Sequence, residues 1–195
     1  MTIIETPDLS TEAPHRRRFG VGKIVIVVGC LIITSMWAYY FLFASDKGVY
    51  QIEDTSWRVA AKEICAAASA EREALANTEG GAITNPTVEQ MQERARLVIA
   101  STDILEQMLD EIVAIPVDND DDRTRLEFFA ENYRILLADR RRYAAALNDG
   151  IDQPYTETVV GGGPVTNVIT DFTAGVKGND VPECSPPGEL GDLQA

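Results

Sequence analysis

The acidic run at residues 118–122, Asp-Asn-Asp-Asp-Asp, is the stretch whose residue types and spacing come closest to a known chemistry, the binding of calcium. Its first, third and fifth residues match the first three ligand positions of an EF-hand loop. The rest of that loop does not match, because the glycine position holds Arg123 and the twelfth position, which needs glutamate, holds Phe129. We therefore predict no metal site and instead a helix N-terminus, where carboxylates accept hydrogen bonds from free N–H groups and oppose the macrodipole.

Arg140 lies on an otherwise apolar seam, with Tyr133 seven residues before it and Tyr143 three residues after it. An arginine in such a position is buried and paired, contacts an anionic ligand, or extends its charged end to solvent while its stem packs on the seam. We expect the last arrangement, at the end of a helical bundle. Arg140, Tyr133 and Tyr143 remain the candidate contacts for a ligand or a partner protein.

Side chains for acid–base catalysis are scarce. The only histidine, His15, precedes a run of arginines, so residues 45–195 contain none, and proton transfer there would depend on carboxylates or tyrosines. Glu127 and Glu131 are four residues apart, which is typical of a solvated helix face, and Asp139 follows on the same predicted helix. We predict that the protein is not an enzyme and that it binds no cofactor.

Cys65 and Cys184 are the only cysteines after residue 45. If these residues face an oxidising compartment, a disulfide between the two is the default expectation. Closing a loop of about 120 residues would stabilise the fold by roughly 4–5 kcal/mol in the chain-entropy treatment. Two unpaired thiols, or intermolecular bonds that make a dimer, are the alternatives.

Three helices are predicted from apolar residues that recur at three- and four-residue steps. The first runs from about Thr55 to Asn77 and ends before Gly80-Gly81. The second opens with Asn85 as N-cap, followed by Pro86 in the first turn, and stops at Ile115-Pro116. The third runs from the acidic cluster to about Leu147. The seams are Trp57, Ala60, Ala61, Ile64, Ala68 and Leu75 in the first; Val88, Met91, Ala95, Val98, Thr102, Leu105, Leu109 and Ile112 in the second; and Leu126, Phe129, Tyr133, Leu136, Arg140, Tyr143 and Leu147 in the third.

The composition changes after Gly150. Three consecutive glycines at residues 161–163 have no lysine or GxGxxG spacing beside them, so we interpret them as a flexible link rather than a phosphate-binding loop. Pro164 then starts a short fourth helix, which ends before Gly178; an extended strand is the alternative for this segment, which is rich in valine and threonine. Residues 179–195 are expected to form an irregular tail.

The stretch from Ile24 to Ala44 is apolar and uncharged, and as a helix it would be about 30 Å long, the thickness of a bilayer core. Arginines 16–18 and Lys23 precede it, whereas only Lys47 follows closely, so the positive-inside rule places the N-terminus in the cytoplasm. An uncleaved membrane anchor is the prediction. A cleaved signal sequence and a lipoprotein anchored at Cys30 are the alternatives, and in the favoured anchor Cys30 is an apolar thiol inside the helix. Aromatic residues of the kind found at membrane interfaces crowd its C-terminal half: Trp37, Tyr39, Tyr40, Phe41 and Phe43.

Most of the formal net charge of −14 belongs to the part after the apolar stretch, where 28 acidic residues outnumber 13 basic ones. An acidic surface repels nucleic acid and anionic membrane surfaces. It favours solubility or a cationic partner.

The arrangement of Trp57, Cys65, three helices rich in alanine and leucine with Arg140 and Tyr143 late in the third, and Pro182 and Cys184 near the end resembles uncharacterised single-pass membrane proteins of actinobacteria. The resemblance covers residue 57 to about residue 187. It implies an extracytoplasmic helical domain held by a disulfide and implies no activity.

The predicted fold is all-α, with one N-terminal transmembrane helix and an extracytoplasmic three- or four-helix antiparallel bundle. The predicted segments are a disordered cytoplasmic tail (1–22), the transmembrane helix (23–45), a linker (46–52), the bundle (53–178) and a disulfide-tied tail (179–195). The predicted function is an accessory or interaction subunit of a cell-envelope assembly, with the lipid bilayer and another envelope protein as partners. A small-molecule-binding or sensory module is the alternative.

Overall fold

The computed structural model describes residues 20–43, 48–75 and 85–188. The chain divides into two units, residues 1–46 and residues 47–195. Several predictions fall outside the described residues: the disordered tail with His15 and the arginines at 16–18, the polar flank at 46–47, the helix end at 80–81, and the last residues of the tail.

In the first unit, helix α1 spans Val21–Phe43. Its segment from Gly22 to Leu42 has a mean hydropathy of 2.1 and is long and apolar enough to cross a membrane. The two hydroxyl side chains in its middle bond back to the helix, with Thr34 Oγ1 donating to the carbonyl of Cys30 (2.8 Å) and Ser35 Oγ to that of Ile32 (2.9 Å). The hydroxyls therefore add no unpaired donor to an otherwise apolar surface.

In the second unit, three long helices form a bundle: α2 (Thr55–Leu75), α3 (Val88–Val113) and α4 (Asp120–Asn148). Helix α3 packs on both α2 and α4 and runs antiparallel to them, as short connections between long helices require. All seven predicted seam residues of α4 are buried, and so are seven of the eight in α3, where Val88 is exposed. The mostly helical, all-α prediction is confirmed.

The α3 N-cap is Thr87, and not Asn85 as predicted. Thr87 and Gln90 form a capping box in which the Gln90 N–H donates to Thr87 Oγ1 (3.3 Å) and the Gln90 side chain accepts from the Thr87 N–H (2.8 Å). Asn85 instead has a φ of 56° and turns the chain before Pro86. The spacing Thr-x-x-Gln was the signal that identifies the cap.

The glycines at residues 161–163 are part of a β-hairpin rather than a flexible link. Strand β1 (Val159–Val160) pairs antiparallel with β2 (Gly163–Pro164). The two turn residues, Gly161 (φ 63°) and Gly162 (φ 92°), have the left-handed conformation that two-residue hairpin turns demand and that glycine adopts without strain.

The predicted fourth helix is confirmed as α5 (Val165–Thr173), which ends five residues before Gly178. Its Phe172 joins the helices together: the ring stacks on Phe129 of α4 (4.5 Å between centroids) and meets Trp57 of α2 edge-on (6.2 Å). These three aromatic side chains are buried at the centre of the larger core cluster. Their packing attaches the C-terminal third of the chain to the bundle.

The predicted disulfide between Cys65 and Cys184 is confirmed, and it closes a loop across 119 positions. Cys184 ends a short 3-10 turn, Pro182–Cys184, that packs on α2. Asn179 and Val181 are buried as well. Asn179, Val181 and Cys184 thus attach the start of the predicted tail to the core.

Candidate functional site

Arg140 lies between α3 and α4 and is 1 % exposed. Its Nε donates to Thr102 Oγ1 (3.1 Å) and its Nη2 to Ser101 Oγ (2.9 Å), both on α3. The expectation that this side chain extends to solvent is therefore wrong, and the alternative of a buried, hydrogen-bonded arginine is correct. Two adjacent hydroxyls on the facing helix make this burial tolerable, because they replace part of the water that the guanidinium loses.

Arg140 also lines a cavity of about 170 Å³. The cavity is built from four parts of the chain, namely α4, the loop before β1, the first turn of α5 and the segment after the 3-10 turn. Such a volume accommodates a ligand of only a few non-hydrogen atoms, which is small beside usual ligand pockets of roughly 300–1,000 Å³. The lining residues are Leu136, Arg140, Tyr155, Glu157, Thr166, Pro186, Pro187 and Gly188.

Two polar side chains of the cavity differ in their hydrogen bonding: Glu157 accepts hydrogen bonds, whereas the Tyr155 hydroxyl makes none to the described residues. The Glu157 carboxylate accepts from the N–H (3.1 Å) and the hydroxyl (2.7 Å) of Thr166, so it caps the first turn of α5. The Tyr155 hydroxyl is enclosed and makes no hydrogen bond to the described residues. Burial, with the nearby Glu157 charge, raises the pKa of Tyr155. Tyr155 thus stays protonated and is a hydrogen-bond donor near the Arg140 charge.

The structure does not bring the three predicted contact residues together. Tyr133 is fully buried in the larger core cluster, where its ring packs on Phe129 (5.3 Å). Tyr143 belongs to the smaller cluster near the other end of α4, with its ring edge-on to Tyr155 (5.6 Å) and the Arg94 guanidinium over its face (5.6 Å). Of the three, only Arg140 lines the cavity.

The acidic cluster caps two helices. Asn119 caps α4, because its side-chain oxygen accepts from the Asp122 N–H (2.7 Å). The Asp122 carboxylate is 0 % exposed and accepts from the N–H groups of Glu53 (3.0 and 3.1 Å) and Asp54 (3.2 Å), just before α2. The prediction of a helix-capping cluster is confirmed, with one correction: the buried carboxylate serves the neighbouring helix. In the described ranges, no three His, Cys, Asp or Glu side chains converge as a metal site.

Asp139, one of the carboxylates considered for catalysis, is also buried and engaged. It accepts from the N–H (2.6 Å) and the hydroxyl (2.9 Å) of Thr158 and from Arg142 (2.6 Å). It therefore ties the chain before β1 to α4. Glu127 and Glu131 are exposed, as their spacing predicts.

Comparison with protein-family models, with curated proteins and with solved structures finds no match to this chain. Its function must therefore be inferred from the geometry described above.

Proposed function

We propose that this protein is a membrane-anchored, non-enzymatic interaction subunit of a cell-envelope assembly, with its bundle on the extracytoplasmic side. Helix α1 has the length and hydropathy of an anchor. The basic residues before α1, at 16–18, and Lys23 in its first turn favour a cytoplasmic N-terminus. The disulfide between Cys65 and Cys184 is of the kind that persists in oxidising compartments and supports the same orientation.

The engagement of the buried charges supports a non-enzymatic role. Asp122 holds the start of α2, Asp139 holds the segment before β1, and Arg140 bonds to two hydroxyls of α3. Groups that perform catalysis need access to a substrate and a pKa matched to proton transfer. Asp122 and Asp139 are instead enclosed by the structure that they stabilise, and Arg140 is held by α3 beside a small cavity.

The observation that carries the interaction role is the outer face of α2. Its residues recur at helical spacing, and all of them are exposed. Four of the five are small or apolar, so the backbone of another helix can approach closely. We infer that a helix of another envelope protein packs here. The α2 outer face consists of Val59, Glu63, Ala66, Ala70 and Ala74.

Site-specific photo-crosslinking in intact cells tests this role. A photoreactive amino acid at Ala66, in the full-length chain, should capture one dominant protein that mass spectrometry identifies. Ala70→Arg should abolish the capture, because a long charged side chain blocks close approach. The matched control is Ala138→Arg, on the exposed side of α4, which should leave the capture unchanged. Capture of nothing, or equal loss in both variants, would argue against the α2 outer face as the interaction surface.

The cavity beside Arg140 favours a second candidate function, the binding of a small polar molecule. A buried guanidinium, an enclosed hydroxyl and a carboxylate line one small space. A screen of metabolites and cell-wall fragments should then raise the melting temperature of the protein. Tyr155→Phe and Glu157→Gln, which keep the shapes of the side chains, should remove that increase. If no compound shifts the melting temperature, this candidate is excluded.

A further inference from the structure

Two exposed valines, Val49 and Val176, lie on neighbouring segments of the unit formed by residues 47–195. We call these segments, residues 48–50 and 175–177, the corner. Val176, in the loop after α5, is fully exposed, and Val49, ahead of α2, is 82 % exposed. A fully exposed apolar side chain in water forgoes the favourable free energy of burial, about 25 cal/mol per Å². Single exposed apolar residues are common on protein surfaces, so these two are informative only because they lie together beside the chain that leads to α1.

The two segments that carry these valines are held together by a buried side chain. Asn179, 0 % exposed, accepts from the Ile52 N–H (2.7 Å) and donates to the carbonyl of Tyr50 (2.9 Å). At Gly48 the backbones touch: a Cβ there would lie 1.9 Å from the carbonyl oxygen of Lys177. The valines are therefore parts of one fixed corner and not of two independent loops.

Covalent length limits how far this corner can be from the end of α1. Only residues 44–47 separate Phe43 from Gly48. Five steps of at most about 3.6 Å give a reach of no more than about 18 Å. This limit holds for every arrangement of the two units.

The charges next to the corner do not oppose a lipid surface. In sequence, Lys47 adjoins Gly48 and Lys177 adjoins Val176, and the aspartates closest to them, Asp46 and Asp180, balance their charge in an otherwise acidic unit. Lysine near the end of a membrane helix places its ammonium among the lipid phosphates, while apolar neighbours enter the boundary with the acyl chains. An acidic bundle would otherwise be repelled from anionic lipids.

We propose that Val49, Val176 and Lys177 rest on the lipid surface, with the valines at the boundary between headgroups and acyl chains. This inference rests on the proposed membrane anchoring of α1. The β-hairpin lies at the other end of α5 from Val176.

Tryptophan fluorescence in vesicles tests the contact. The full-length chain carrying Trp37→Phe is reconstituted in phosphatidylcholine vesicles whose acyl chains are brominated close to the glycerol. Val176→Trp is compared with the control Val159→Trp, a 70 % exposed valine of β1. Helix α5, nine residues or about 14 Å long, separates the two positions. The remaining Trp57 is buried and gives both variants the same background.

We expect Val176→Trp to be quenched and shifted to the blue, and Val159→Trp to be neither. Vesicle flotation of the same samples separates the two inferences. If the chain floats and Val176→Trp is neither quenched nor shifted to the blue, the corner does not contact lipid, although the anchoring stands. If the chain does not float with the vesicles, the anchoring is refuted and the corner proposal with it.

Discussion

Asp122 is the residue whose replacement tests most directly how the bundle is held together. Its buried carboxylate accepts hydrogen bonds from the N–H groups of Glu53 and Asp54, from Asn119 Nδ2 (2.9 Å) and from Arg125 Nη1 (2.7 Å). In Asp122→Asn the charge is lost and an amide NH₂ faces these donors. The start of α2 then loses the acceptor that its free N–H groups need.

The size of the effect follows from the burial of the pair. Removing one partner of a buried ion pair costs about 3–5 kcal/mol. We expect about 3 kcal/mol, the lower end of that range, because the Arg125 side chain is 22 % exposed and regains water. In a unit of about 150 residues, each kcal/mol lowers the melting temperature by about 2–4 °C. Asp122→Asn should therefore lower it by about 6–12 °C.

The effect should also depend on pH. Burial raises the pKa of Asp122, but the hydrogen bonds from Glu53, Asn119, Asp54 and Arg125 outweigh it and hold the pKa below its ordinary value. Because the pKa is lower in the folded than in the unfolded chain, the stabilisation is complete above the unfolded value of about 3.9 and is lost as the pH falls through the folded value. The unmodified protein should lose stability below about pH 4 more steeply than Asp122→Asn does.

Thermal unfolding followed by circular dichroism at 222 nm measures both effects. The control is Asp121→Asn, which removes a neighbouring but exposed carboxylate and should change the stability by less than about 0.5 kcal/mol. Equal melting temperatures for the two variants at neutral pH would refute the reasoning.

Three other variants test how the C-terminal third is held and shaped. Replacing both Cys65 and Cys184 with serine should lower the free energy of unfolding by about 2–5 kcal/mol in urea titration, and reductant should then have no further effect. Asn179→Ala leaves several buried backbone groups unpaired and should cost about 3 kcal/mol or more, whereas Asn167→Ala, at an exposed position, should leave the urea midpoint unchanged. Gly162→Ala forces a side chain into φ 92° and should lower stability by about 1–2 kcal/mol; an unchanged melting temperature would contradict the hairpin turn.

The helices were predictable because their residues repeat a local pattern. In α4, apolar side chains at steps of three and four residues predict one buried face, and the face is buried throughout. The cap of α3 was missed although its signal, Thr87 and Gln90 three residues apart, is equally local. The hairpin was missed because strands of two residues have no periodicity, and only the glycine pair at 161–162 indicated a turn.

The candidate site was predictable only in part. Arg140 was recognised from its place on an apolar seam, but its partners Ser101 and Thr102 are about forty positions away on another helix. Tyr155 and Glu157 lie in a segment without periodicity, and no local signal marked them as neighbours of Arg140. Tyr133 and Tyr143 share the seam with Arg140, yet they pack into different clusters.

The sequence by itself determined the apolar helix and the three long helices with their seams. These features follow from composition and from periods of three to four residues, which act between neighbours along the chain. The tertiary structure alone decided that Arg140 is buried, that Asp122 caps a different helix and that Val49 and Val176 share a corner. Each of these depends on contacts between residues distant in sequence, and such contacts are determined by how the helices pack and not by any one of them.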